Sequence, residues 1–233
     1  YYVDHGVLDG VDAIFGLQDR VVFDLLDVLN KECTLEQALI APPEMENLRL
    51  LPAAQFARVK ELDPKSFNKT VRALRREAEH VIVDCPAGVE RGLIGTLGSA
   101  DECILVTTPD DVCIRDAEKT ASLLERKHAP RPYLIVNRLM PELIEAGEMY
   151  PAQVVADTLD LRLLGEVPQD VSLYRALLQH RLPMQVDCES NRALQRIVRR
   201  MEGQDVPLPA YGTGKKGFLR RLFEPKVKGL KSL

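Results

Sequence analysis

The chain has 233 residues, 31 Lys+Arg against 35 Asp+Glu, a formal charge of −4 and 45% hydrophobic residues. This is ordinary globular composition, which excludes wholesale disorder, and no run nears the ~18 apolar residues of a membrane-spanning helix. The first residues lack the pattern of a secretory signal, and five scattered cysteines without a CxxC pair suit a reducing compartment rather than a disulfide framework or zinc site.

The chain opens on YYVDHG, which reads as the last residues of a strand. A doubly wound domain entered there would lack its first strand, first loop and first helix, a unit of roughly 30 residues or more. A truncated N-terminus is therefore expected. Apolar, β-branched runs follow at LRLL (48–51), VIVD (81–84), CILVTT (103–108), YLIVN (133–137) and LRLLGEV (161–167). They are nearly continuous rather than alternating, as in strands buried on both faces. Helical periodicity occupies 65–79, about 113–127, 151–159, 171–180 and 190–202, with Asp63-Pro64-Lys65 and Ser190-Asn191 as start signals. Strands alternating with helices predict an α/β fold: a doubly wound, mostly parallel sheet with helices on both faces. No internal repeat or linker interrupts residues 1–203, which read as one domain. Residues 204–214, QDVPLPAYGTG, carry two Pro, two Gly and no helical period, and read as a flexible connector.

Charge is unevenly spread. Residues 215–233 hold five Lys and two Arg against Glu224, a formal +6, which leaves about −10 on residues 1–214. An acidic body with a basic tail assigns contact with an anionic surface to the tail. On a helix, Phe218, Leu219, Leu222 and Phe223 share one apolar sector, Arg220 and Arg221 fall outside it, and Lys215 and Lys216 flank it. That pattern suits an interfacial helix, with rings among acyl chains and cations at lipid phosphates. Packing of FLRRLF on the body, or a disordered basic end, fits the same residues.

The strongest chemical signal is HVIVDCPAGVE (80–90), a buried run ending in Asp84 before a small Pro-Gly loop. Such a carboxylate can hold Mg²⁺ through water while the next loop senses a γ-phosphate. An ordinary Asp-Xaa-Pro turn reads the same way. The phosphate-cradling pattern GxxxxGK[ST] occurs nowhere, and GTGKKG (212–217) lacks its spacing and its hydroxyl.

Several stretches in order then resemble the MinD family of septum-site-determining ATPases, which belongs with ParA to the deviant-Walker-A P-loop ATPases. They are GVDAIFGLQDRVVFDLLDVL (10–29), TLEQALI (34–40), NLRLLPAAQ (47–55), VIVDCPAGVERG (81–92), VTTPDDVCIRDAEK (106–119), LIVNR (134–138), LLGEVPQDVSLYRAL (163–177) and KKGFLRRLF (215–223). DCPAG followed by Glu90 separates the match from typical ParA sequences, and KKGFLRRLF resembles the family's membrane-targeting helix. The resemblance implies that Asp84 acts on Mg²⁺ through water and that Gly88 lies in the loop answering the γ-phosphate. It implies that Asn137 and Arg138 end the base-recognition strand, and that Pro168 and Asp170 line the adenine. Glu90, Arg115 and Asp116 fall where the family makes dimer and partner contacts. The family's Walker A loop and signature lysine would precede Tyr1. Where the family reads DxDIGLRNLD the chain reads VDHGVLDGVD (3–12), so no residue is assigned to position the attacking water, and no catalytic residue is named.

By the same resemblance the protein uses ATP and Mg²⁺, forms a homodimer with ATP and contacts anionic lipids. Its partners are a MinC-like division inhibitor and MinE or another topological-specificity factor. It works in the bacterial cytoplasm, peripherally on the inner face of the cell membrane. As given, the polypeptide is expected not to hydrolyse ATP. The alternatives are a non-catalytic membrane-binding adaptor derived from this fold and a ParA-like or flagellar-number regulator ATPase. The net acidic body opposes a DNA-partitioning role, and no nucleic acid is expected.

Overall fold

A computed structural model describes residues 2–4, 15–43, 45–52, 63–85, 97–179 and 181–209. In chain order they form β1 (Tyr2–Asp4), α1 (Leu25–Asn30), α2 (Leu35–Ala38), β2 (Leu50–Leu51), α3 (Pro64–Leu74), β3 (Ile82–Asp84), β4 (Ile104–Thr107), α4 (Asp111–Arg126), β5 (Tyr133–Leu139), α5 (Pro141–Ala146), α6 (Ala152–Leu159), β6 (Arg162–Pro168), α7 (Val171–Leu178) and α8 (Glu189–Met201). The chain divides into two compact units, one drawn from 1–103, 118–132 and 171–187, the other from 104–117, 133–170 and 188–233. Among the described residues no helix is long and apolar enough to cross a membrane.

The first unit holds a parallel three-stranded sheet in the order β2-β1-β3. Tyr2 stands opposite Leu50 on one side and Ile82 on the other, and Asp4 stands opposite Asp84. Its helices start on side-chain caps. Asp24 accepts the Leu26 N–H at 2.7 Å, and Asp27 returns a carboxylate to the Asp24 N–H at 2.9 Å. Thr34 and Gln37 repeat this capping box on α2. Asp63 accepts the Ser66 N–H at 2.9 Å, with Pro64 in the first turn of α3 where its missing N–H costs nothing. Phe67, Val71 and Leu74 of α3 pack with Leu25, Ala38 and Leu51 into one buried cluster. α3 stops at Leu74, short of the expected 79, because the apolar period gives out in the exposed Arg75-Arg76-Glu77. Neither α1 nor α2 was expected: at six and four residues they are too short to show a period and are defined by their caps.

The second unit holds the parallel sheet β4-β5-β6. Leu134, Val136 and Leu139 pack with Ile144, Ala152, Val155 and Ala156, whereas Tyr133 and Ile135 pack toward Leu164, Val167, Ala193 and Ile197. Neighbouring residues of a strand face opposite ways, so α6 and α8 cover opposite faces of β5–β6, as the unbroken apolar runs predict. The ladder is irregular: Leu134 meets Leu163 and Ile135 meets Gly165, which leaves Leu164 as a bulge. A Cβ on Gly165 would lie 2.7 Å from Ile197 Cδ1, so only glycine lets α8 come this close. Arg162 lays its guanidinium 5.5 Å over the ring of Tyr133, its cross-strand partner.

Two strands depart from burial on both faces. Ile82 on β3 is 54% exposed, and Ile104 and Val106 on β4 are 41% and 57% exposed. Each strand pairs on one side only among the described residues, so part of its apolar surface lacks a neighbour there.

Arg200, on the last turn of α8, fixes where the chain leaves the body. Its guanidinium donates to the carbonyls of Leu164 on β6 at 2.9 Å, Val206 at 2.7 Å and Pro207 at 2.7 Å. The start of the expected connector is thereby tied to β6.

Candidate functional site

Parallel strands present all their carboxyl ends at one edge, where ligands of open α/β sheets bind. In the second unit that edge is formed by Thr107, Leu139 and Pro168. The end of β5 is distorted: the register slips between Val136 and Leu139, and Arg138 adopts φ +60°. A left-handed arginine costs about 1–2 kcal/mol, and the Arg138 N–H offsets part of this by donating to Asn137 Oδ1 at 2.8 Å. That bond occupies the amide oxygen of Asn137 and fixes the side chain, leaving the Nδ2 hydrogens as donors. Arg138 is exposed, Asn137 half-buried and Leu139 fully buried.

One bond joins this corner to the end of β6, and a second ties that end to α8. The Gln169 N–H donates to the Leu139 carbonyl at 2.7 Å, and the buried Ser190 hydroxyl donates to the Pro168 carbonyl at 2.6 Å. Asn137, Arg138 and Pro168 are therefore held at neighbouring strand ends, with half-buried Asp170 just beyond. Ser190 stands in the first turn of α8, where the sequence places a helix start, but it is not the cap. The cap position falls on Cys188, and the serine points its hydroxyl at the sheet instead. At the end of β4, Asp110 accepts from Thr108 and, at 2.9 Å, from the Cys113 N–H. The Thr108 hydroxyl first, then the Cys113 N–H, hold its carboxyl below the usual carboxylate range. Arg115 and Asp116 lie exposed on α4.

In the first unit Asp84 is the exposed last residue of β3, in register with Asp4. Mg²⁺ takes hard oxygen ligands, usually one or two carboxylates with water. Asp84 supplies that donor at the carboxyl end of a parallel strand, so it fits the ion. Among the described residues no group of three or more His, Cys, Asp or Glu lies together. The pairing with Asp4 escapes sequence reasoning, because it follows from strand register rather than from spacing. Nearby, burial first and Cys85 second push the Cys103 thiol up. Gly88, Glu90, Lys215, Lys216, Phe218, Leu219, Arg220, Arg221, Leu222 and Phe223 lie outside the described residues.

One buried group stands apart from these ends. Glu166 on β6 is 7% exposed, and its Oε1 has no hydrogen-bond partner. Burial pushes its carboxyl up to about 7, partly opposed by Arg200 and Arg196.

Parallel sheets covered by helices are the frame of a P-loop-type ATPase of the MinD/ParA class, to which the solved structures similar to this chain belong. No family model matches the chain. The septum site-determining protein MinD of Helicobacter pylori is 34% identical over 222 residues, 92% of this chain and 82% of that protein. The MinD of Synechocystis is 33% identical over the same shares. Among solved structures, the MinC:MinD cell division protein complex of Aquifex aeolicus superposes with a TM-score of 0.80 at 30% identity, covering 91% of this chain and 87% of that one. The chain belongs to the MinD family.

Proposed function

We propose that this protein acts in division-site placement, as a nucleotide-dependent switch that binds the membrane reversibly and recruits a division inhibitor. The single observation that carries this is the 34% identity to a septum site-determining MinD over 92% of the chain. The inhibitor would be MinC-like, since the similar Aquifex chain was solved in a MinC:MinD complex. The other expected partners are a second copy of the chain, a MinE-like release factor and anionic lipid.

The residues divide the work by position. Asn137, its oxygen satisfied by the Arg138 N–H, offers amide hydrogens to a base edge at the end of β5. Pro168 and Asp170 stand at the neighbouring strand end. Asp84 would hold Mg²⁺ through water, and the ion, when bound, neutralises charge developing on a transferring phosphoryl group. Gly88 would follow the γ-phosphate, and Glu90, Arg115 and Asp116 would read the paired state. Pairing doubles the tail helices, and two weak anchors joined together bind far more tightly than one. The tail set from Lys215 to Phe223 thus makes attachment a function of dimerisation.

Deleting the gene is expected to misplace septa and yield anucleate minicells; wild-type septum positions in the deletion strain would overturn the division role. Because these 233 residues contain no phosphate-cradling loop, the isolated polypeptide is expected to turn over no ATP above an Asp84→Ala control in a phosphate-release assay. The adaptor reading is favoured instead by vesicle binding that Mg-ATP leaves unchanged in cell-purified protein.

A further inference from the structure

Two helices of this protein are rich in cations, and they use them differently. On α8, Arg192 and Arg196 pair with Glu189 at 3.0 and 2.6 Å, and Arg200 is spent on three carbonyls. Residues 64–76, which make up α3 and the turn after it, contain five Lys or Arg and no acid. Arg75 pairs with Asp101 at 2.8 Å. Lys65, Lys69, Arg72 and Arg76 are exposed and make no salt bridge among the described residues, although Lys65 acts electrostatically on the cap residue Asp63.

Their spacing puts all four on one line. Carried at 100° per residue through Arg76, positions i, i+4, i+7 and i+11 fall within about 60° of arc, in a row roughly 16 Å long. Phe67, Val71 and Leu74 point the opposite way, into the core. The row borders a depression of about 450 Å³ lined by Lys65, Asn68, Lys69, Arg72, Ala73 and Arg76. Buried Asn68 Oδ1 makes no hydrogen bond there. Surface helices usually gain from opposite charges at i, i+4, whereas here Lys65 with Lys69 and Arg72 with Arg76 repel. An external anion relieves that repulsion.

We infer that the outer face of α3 is a docking surface for the anionic headgroups of a membrane. The choice rests on the membrane reading of the tail proposed above, and it follows from charge. Residues 1–214 carry about −10, so a body tethered close to an anionic bilayer is repelled unless it turns an unneutralised basic face toward the lipid. The row is straight and carries no large apolar side chain, so it meets phosphates at headgroup level without entering the acyl region. The tail supplies insertion, and α3 supplies orientation.

The test compares full-length variants in sedimentation with phosphatidylglycerol-containing and pure phosphatidylcholine vesicles. Lys69→Gln/Arg72→Gln is expected to weaken binding to the anionic vesicles about fivefold per cation removed, with an unaltered circular dichroism spectrum and melting temperature. Lys65→Gln/Arg76→Gln, at the ends of the row, reproduces the loss if the surface rather than one residue matters. Leu222→Glu/Phe223→Glu separates the two claims. If it abolishes binding while both α3 pairs bind as wild type, the tail anchor stands and the α3 surface is refuted. If none of the three variants changes binding, the membrane reading itself fails and takes this inference with it. If the α3 pairs lose affinity for short duplex DNA but not for vesicles, the surface is a nucleic-acid site and the inference is overturned.

Discussion

The two sheets of this protein are held in different ways, and the site residues inherit the difference. In the first sheet the strands are two or three residues long, and stability comes from helices packed around Phe67. Asp84 there stands exposed at the end of a short strand, with its main chain set by pairing to β1. In the second sheet β5 and β6 run seven residues each, and two register slips together with the bonds from Gln169 and Ser190 set the main chain around Asn137 and Pro168. A carboxylate meeting a hydrated ion needs room for water. An amide reading a base edge needs a fixed direction, so the roles proposed for Asp84 and Asn137 suit the sheets in which they stand.

Three perturbations sharpen the contrast. Phe67→Ala attacks the helix-built core and is expected to cost about 3–5 kcal/mol in urea denaturation. A cost under about 1 kcal/mol would mean that the first unit does not depend on that core. Gly165→Ala attacks the close approach of α8 to β6. Because Ile197 or the strand must move, a loss of about 1–3 kcal/mol is expected. The smallest effect concerns Glu166. A carboxyl at about 7 in the native state and 4.5 in the unfolded chain means that the unfolded chain releases its proton first as pH rises. Stability therefore falls between roughly pH 4.5 and 7 and levels off above, when the native carboxyl ionises too. Glu166→Gln is expected to gain about 1–2 kcal/mol at pH 8 and nothing at pH 4, measured by thermal melts across that range. A flat difference with pH would show that Glu166 titrates normally.

Much of this was legible in the residues. Continuous runs such as YLIVN and LRLLGEV announced a parallel sheet because both their faces are buried, and Asp63-Pro64 marked the start of α3 because a cap and a proline each satisfy an N-terminal constraint. Asp84 could be placed at a strand end from VIVDCP alone. The left-handed turn at Arg138 was not legible, since nothing in Asn-Arg-Leu distinguishes it from straight strand. Nor was the register of Asp4 with Asp84, which depends on pairing across some eighty residues. Ser190-Asn191 marked the start of α8 correctly, but the bond of the serine hydroxyl to the Pro168 carbonyl depends on the sheet it faces and was not legible. Glu166, within an otherwise apolar strand, gave no hint of how deeply it is buried.

The grip of Arg200 on the carbonyls of Val206 and Pro207 has a metric consequence. The chain is pinned to β6 at Pro207, and eight peptide units lead from there to Lys215. Fully extended they span no more than about 29 Å, whatever path they take. On the membrane reading proposed above, a bilayer held by the tail would lie within one short leash of a fixed point on the body. If that reading holds, lengthening the leash, or cutting it loose at Arg200, changes how often the body touches lipid without altering either proposed contact.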